Sequence, residues 1–131
     1  MTKKVVAYID GFNLYFGLKS KGWNRYYWLN LQGMVLSLLK PYQQLIYTKY
    51  FTAKIKDPPD KQLRQKIYLE TLGTLPEFSI YYGKYQMNPR ICPRCGYQEL
   101  IPSEKMTDVN IATELLADAF QNNFDTAIII S

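Results

Sequence analysis

The segment Val5-Val6-Ala7-Tyr8-Ile9-Asp10-Gly11-Phe12-Asn13 constrains this chain more than any other. A continuous apolar run that stops on Asp-Gly is the pattern of a strand buried on both faces. Such a strand delivers its terminal acid to the carboxyl edge of a parallel sheet. In open α/β sheets that edge is where ligands bind. A second acidic segment, Glu104-Lys105-Met106-Thr107-Asp108-Val109-Asn110, comes much later in the chain. Two carboxylates from distant segments suit a hard divalent cation, Mg²⁺ or Mn²⁺, which takes oxygen ligands and keeps several waters. Asp10 has two readings at this stage: a metal ligand at a strand end, or a turn or helix-cap aspartate, because Asp-Gly is a common turn pair.

The rest of the chain alternates strand and helix patterns. Residues 4–9 read as a strand and residues 12–21 as a helix that Gly22 ends. Asn30 is placed to cap a helix over 31–40, which Pro41 stops. Residues 44–53 form a second strand, followed by a loop over 54–59. Asp60 is expected to cap a helix that reaches Leu72 and closes at Gly73. A third strand is expected over 78–85. Residues 86–103 break the pattern with Pro89, Cys92, Pro93, Cys95, Gly96 and Pro102, so they read as an insertion built on a hairpin. A helix then starts at Thr107 or Asp108 and runs to about Asn122, with Ile111, Leu115, Leu116 and Ala119 as its apolar stripe. A fourth strand covers 126–130 and is expected at the middle of the sheet. The alternation predicts one α/β domain over residues 1–131, with a mainly parallel sheet between helical layers. The chain stops at Ser131 with nothing after the fourth strand, so the domain is expected to lack its C-terminal part or to complete its sheet in another way.

Histidine is absent. That removes Ser-His-Asp and Cys-His nucleophile pairs, histidine-based RNA cleavage without metal, and imidazole-bound catalytic zinc. Hydrolytic chemistry has to run on carboxylates and a metal, or on lysine and tyrosine. All 16 Lys and Arg residues lie at or before Lys105, whereas residues 106–131 carry Asp108, Glu114, Asp118 and Asp125 and no basic residue. This segregation suits a polyanion track beside an acidic metal site; it is also compatible with an uneven soluble surface. No apolar run has the length of a membrane span or of a signal peptide, which points to a cytoplasmic protein without membrane contact.

Basic residues interleave with aromatic ones around Lys19, Lys21 and Arg25, beside Trp23, Tyr26, Tyr27 and Trp28. They do so again from Lys49 to Lys56, which includes Lys54. Single-stranded RNA is held in this way, bases stacking on rings and phosphates meeting cations. Asn13 is placed to orient a water or phosphate, or to position Asp10. Thr107 and Asp108 are a helix start in one reading and part of the site in the other. Asp118 follows Asp108 by ten residues, about 15 Å along a helix, so it is expected at the substrate end or in support of the site. Cys92 and Cys95 form a CxxC followed by Gly96. A structural zinc needs four ligands. The pair is therefore half a zinc site completed by a second subunit, a redox pair, or a turn holding two reduced thiols.

Taken together, Ile9-Asp10-Gly11-Phe12-Asn13-Leu14-Tyr15, Glu104-Lys105-Met106-Thr107-Asp108-Val109-Asn110 and Asp125-Thr126-Ala127-Ile128-Ile129-Ile130-Ser131 resemble the bacterial NYN domain proteins, the LabA-like branch of the PIN-like nuclease superfamily. The resemblance implies a three-layer, Rossmann-like αβα PIN-like domain and metal-dependent ribonuclease chemistry. It implies Asp10 and Asp108 as metal ligands, Asn13 as their polar partner and Asp118 as a further recurrent acid. The family's last motif reads Ser-Gly-Asp-Ser-Asp, and only its serine, Ser131, is present. The expectation is a Mg²⁺- or Mn²⁺-dependent ribonuclease leaving 5′-phosphate and 3′-hydroxyl ends. The rival readings are a non-catalytic RNA-binding module with an incomplete site, and a phosphohydrolase of small esters. The last usually has a second acid two residues after the first, where this chain has Phe12. A homodimer is expected from the unfinished sheet and the half zinc site.

Overall fold

The computed structural model describes residues 2–56 and 58–131, apart from the side chains at 85 and 102–105. Asp57, within the loop expected over 54–59, lies outside them.

Strand β1 (Lys3–Asp10) is buried from Val5 to Asp10, as a central strand should be. It is followed by helix α1 (Gly11–Ser20), a short 3-10 turn (Asn24–Tyr26) and helix α2 (Leu31–Leu38). The Asn30 side chain accepts the Gly33 N–H at 3.0 Å, so the expected cap is in place. Helix α2 ends two residues earlier than expected, because Pro41 disfavours helical backbone in the residue before it. Strand β2 (Gln43–Thr52) leads to helix α3 (Pro59–Leu72). Asp60 is not its cap. Proline fills the first helical position after Pro58, and Asp60 sits in the first turn, where it accepts from Arg64 at 3.1 Å. The Gly73 N–H closes the helix on the Leu69 carbonyl.

Strand β3 (Phe78–Tyr82) is shorter than expected, because a new strand begins at Lys84. The Gly83 N–H donates to the Thr52 carbonyl at 2.7 Å and ends the sheet pairing there. Strands β4 (Lys84–Ile91) and β5 (Gln98–Lys105) form an antiparallel hairpin, somewhat longer than the insertion expected over 86–103. Helix α4 (Thr107–Phe120) and strand β6 (Thr126–Ile130) follow.

The central sheet has the order β3-β2-β1-β6, and every pairing in it is parallel. Its two faces are covered by different helices. Leu31 and Val35 of α2 and Leu69 and Leu72 of α3 pack with Ala7, Ile9, Tyr50 and Phe78. Ile111 and Leu115 of α4 pack on the opposite face with Val6, Tyr8 and Phe51. The fold is α/β with helices on both sides of a parallel sheet.

Two larger expectations change as well. Among the described residues β6 pairs only with β1 and stands at one end of the four-strand order. The inward face of α4 is also rotated. Leu116 is 70% exposed and Ala119 is exposed, while Asp118 is buried. The face runs through Ile111, Glu114, Leu115 and Asp118, because the sheet beneath offers Tyr8 and Lys49 as polar partners. Among the described residues, no helix is long and apolar enough to cross a membrane.

Candidate functional site

The connections from β1 through β2 to β3 run over one face of the sheet. The chain then returns to the other side of β1 by way of α4. The direction of winding reverses between β1 and β6, and the crevice outside the carboxyl ends of two such strands is the usual ligand site. Asp10 ends β1, and Ser131 directly follows β6. Helix α4 has to run back across the sheet before β6 can pair in parallel with β1. Its first turn, with Asp108, therefore starts at the carboxyl edge.

Asp10 is 3% exposed and serves as the N-cap of α1, where its carboxylate accepts the Asn13 N–H at 3.1 Å. The capping reading of Asp10 holds, and the same residue carries an acid to the edge of the sheet. Burial pushes its carboxyl above the usual range; the backbone hydrogen bond from Asn13 opposes this, and the charge of Asp108 adds to it. The charge of Asp108 thus reaches Asp10 although the two lie far apart in the chain. The Asn13 side chain donates to the Ser131 hydroxyl at 2.9 Å, joining α1 to the end of β6. Thr107 is fully buried, and Asp108 lies exposed in the first turn of α4. Neither caps that helix. The cap position belongs to Met106, at a left-handed φ of 75° and without a side-chain hydrogen bond. The Glu104 side chain lies outside the described residues. Among the described residues, no group of three or more acidic or cysteine side chains gathers to hold a metal.

A groove of about 550 Å³ opens beyond the carboxyl ends of β2 and β3, lined by Lys54, Lys56, Tyr82, Gly83, Lys84 and Gln86. The Lys54 ammonium lies 5.0 Å from the centre of the Tyr82 ring. Lys54 and Lys56 were legible as a basic-aromatic pair; Tyr82, Lys84 and Gln86 were not. Only the break at Gly83, which swings the chain from the sheet into the hairpin, brings them beside the loop after β2. Tyr50, within the basic-aromatic segment from Lys49 to Lys56, is buried, and its phenol is pushed up to about 12 by burial and by the charges of Asp10 and Tyr82, against a hydrogen bond with Thr52. Lys19, Lys21 and Arg25 lie at the far end of α1 and beyond, about 15 Å from its start. Lys21 and Arg25 sit over their own neighbours Trp23 and Tyr26.

Asp118 stands apart from the acid pair. Its carboxylate accepts from Tyr8 at 2.6 Å, Lys49 at 2.7 Å and Asn123 at 3.0 Å. Burial pushes its carboxyl up, but these bonds outweigh burial and hold it below the usual range. Lys49 also donates to Glu114 at 2.8 Å. This network pins α4 to the sheet.

Cys92 and Cys95 lie in the turn between β4 and β5, with both thiols free. The backbone N–H groups of Cys95 and Arg94 lower the Cys92 thiol below its usual value, and the Cys95 thiol adds to this.

Comparison with known proteins adds no neighbour: no family model, no curated protein and no solved structure matches this chain. The fold defines a class on its own, an α/β domain with a parallel sheet covered on both faces and a buried aspartate, Asp10, at its carboxyl edge.

Proposed function

We propose that this protein is a PIN-like ribonuclease that cleaves single-stranded RNA with Mg²⁺ or Mn²⁺ held by Asp10 and Asp108. The observation that carries the reading is the position of Asp10 at the end of β1, at the switch point between β1 and β6, where burial and the charge of Asp108 raise its carboxyl. Asp10 bears a desolvation and repulsion cost that a cation would relieve. An exposed Asp108 leaves room for the waters that a hard ion keeps. When bound, the ion supplies positive charge that acidifies water and offsets the negative charge growing on the phosphate. The chain's own residues do the rest. The Asn13 N–H orients Asp10, and the Asn13–Ser131 bond holds α1 against the end of β6. Lys54, Lys56 and Lys84 meet backbone phosphates, and Tyr82 offers a ring for a base.

The test is cleavage of an end-labelled single-stranded RNA with Mn²⁺ or EDTA. Asp10→Asn is expected to abolish the Mn²⁺-dependent product. It is also expected to melt no lower than the parent at neutral pH, because Asn caps a helix as well as Asp and removes a buried charge facing Asp108. The sign follows from the raised carboxyl: ionising Asp10 costs stability, and that cost sets in as pH rises above the usual carboxylate range. Full cleavage by Asp10→Asn sinks the reading. The second reading is an RNA-binding module without turnover; among the described residues no third acidic side chain joins Asp10 and Asp108 in a metal-holding group. It predicts salt-sensitive RNA binding that Lys54→Ala with Lys56→Ala weakens, and no metal-dependent product.

A further inference from the structure

The β4–β5 hairpin carries two unmet needs at once. The first is at its tip. The Cys92 N–H donates to the Tyr97 carbonyl at 2.8 Å, and the Gly96 N–H donates to the Cys92 carbonyl at 2.9 Å. Gly96 adopts a left-handed φ of 71°, which closes the turn. The N–H groups of Arg94 and Cys95 face the Cys92 sulfur. Both thiols of this knuckle are free; Cys92 is half-buried and Cys95 is exposed. Zinc in a structural site takes four N or S ligands in a tetrahedron. The chain has no histidine and no further cysteine, so two ligand positions have to be filled from elsewhere.

The second need is on the strands. The pairs Pro89 with Leu100 and Ile91 with Gln98 place Met87, Pro89, Ile91 and Leu100 on one face. Met87 is 42%, Ile91 60% and Leu100 63% exposed. The hairpin's extensive contacts, among the described residues, are those between its own two strands. A lone two-stranded hairpin is marginal in water and needs something packed on its apolar face.

We propose that two copies of this chain join hairpin to hairpin, with one zinc ion held on the two-fold axis by Cys92 and Cys95 of each copy. A second copy meets both needs with one operation. It brings the two missing thiolates, and it lays the same apolar face over Ile91 and Leu100, as a self-complementary contact requires. Each thiol gives its proton to solvent on binding, so assembly is favoured as pH rises. The inference involves neither Asp10 nor RNA, and it stands or falls apart from the nuclease reading.

The experiment uses the full chain, reduced and metal-free, titrated with Zn²⁺ while bound metal and sedimentation mass are followed. Co²⁺ serves as a second probe through the visible absorption of a tetrahedral thiolate site. Uptake is expected to saturate at one zinc per two chains, with the mass doubling in step and EDTA restoring the monomer. Cys95→Ser, at an exposed position, is expected to lose both uptake and dimer while its thermal melt stays that of the metal-free parent. Ile91→Lys is expected to weaken dimer formation at the same zinc level. No zinc uptake, saturation at one zinc per chain on a monomer, or a dimer indifferent to EDTA each overturns the proposal.

Discussion

Lys49→Met is expected to lower the stability of this domain by about 3 kcal/mol, a fall in Tm of roughly 10 °C for a chain of this size. The Lys49 and Asp118 side chains are 12% and 9% exposed, and their ion pair spans 2.7 Å between β2 and α4. Removing the ammonium leaves a carboxylate in a nearly dry site with only Tyr8 and Asn123 as donors. That uncompensated charge dominates the loss. Glu114, at 30% exposure, can turn to water and adds little. Lys49→Met combined with Asp118→Asn is expected to recover most of the loss, because Asn still accepts from Tyr8 and carries no charge. The pH dependence separates charge from packing. The Asp118 carboxyl lies below its ordinary 3.8 in the fold. Its contribution is complete above that value and lost as pH falls through the lower folded one. Lys49 is raised, so its contribution persists through the neutral range and disappears only in strong alkali. The gap between parent and Lys49→Met should therefore be widest near neutrality and narrow below about pH 4. Denaturant melts across that range check it; a gap constant with pH would assign the loss to packing.

Gly11→Ala is expected to cost about 3 kcal/mol and to remove any activity that depends on Asp10. A Cβ at Gly11 would lie 2.5 Å from the Tyr50 hydroxyl oxygen, 2.6 Å from its ring carbon and 2.9 Å from the Phe51 carbonyl oxygen. Tyr50 is 7% exposed and cannot swing aside, and the Phe51 carbonyl is backbone of the adjacent strand. Either α1 moves off β2 or the sheet shifts, and Asp10 is the residue at that joint. Adding Tyr50→Phe should restore only part of the loss, since the ring carbon and the carbonyl remain. An unchanged melting midpoint for Gly11→Ala would show that α1 docks without this close approach.

Local chemistry explains which elements were legible. The run from Val5 to Ile9 has to be a strand buried on both sides, because nothing in it can face water. Asn30 and Pro41 bracket α2 with a cap and a stop. The sequence is less informative where the deciding partner is remote. Phe78 to Tyr85 keeps its strand pattern across Gly83, so the change from sheet to hairpin was invisible until the Gly83 N–H met Thr52. Asp60 has the residue type of a cap, yet the Pro58-Pro59 pair sets the helix start two residues earlier. Leu116 fits an apolar stripe as well as Asp118 fits a polar face, and Tyr8 and Lys49 beneath the helix choose between them.

The sequence by itself determined the class of the sheet, the place of Asp10 at a strand end, and the limits that an absence of histidine sets on chemistry. These depend on residue type and near neighbours, which the chain displays directly. The tertiary structure alone decided that Asp108 bears on Asp10 and that Asp118 serves a buried ion pair. It also decided that Lys54, Lys56, Lys84 and Tyr82 share one groove, and that β6 pairs in parallel with β1. Each of these joins segments far apart in the chain, and such pairings are set by how strands order themselves and which helix face the sheet accepts.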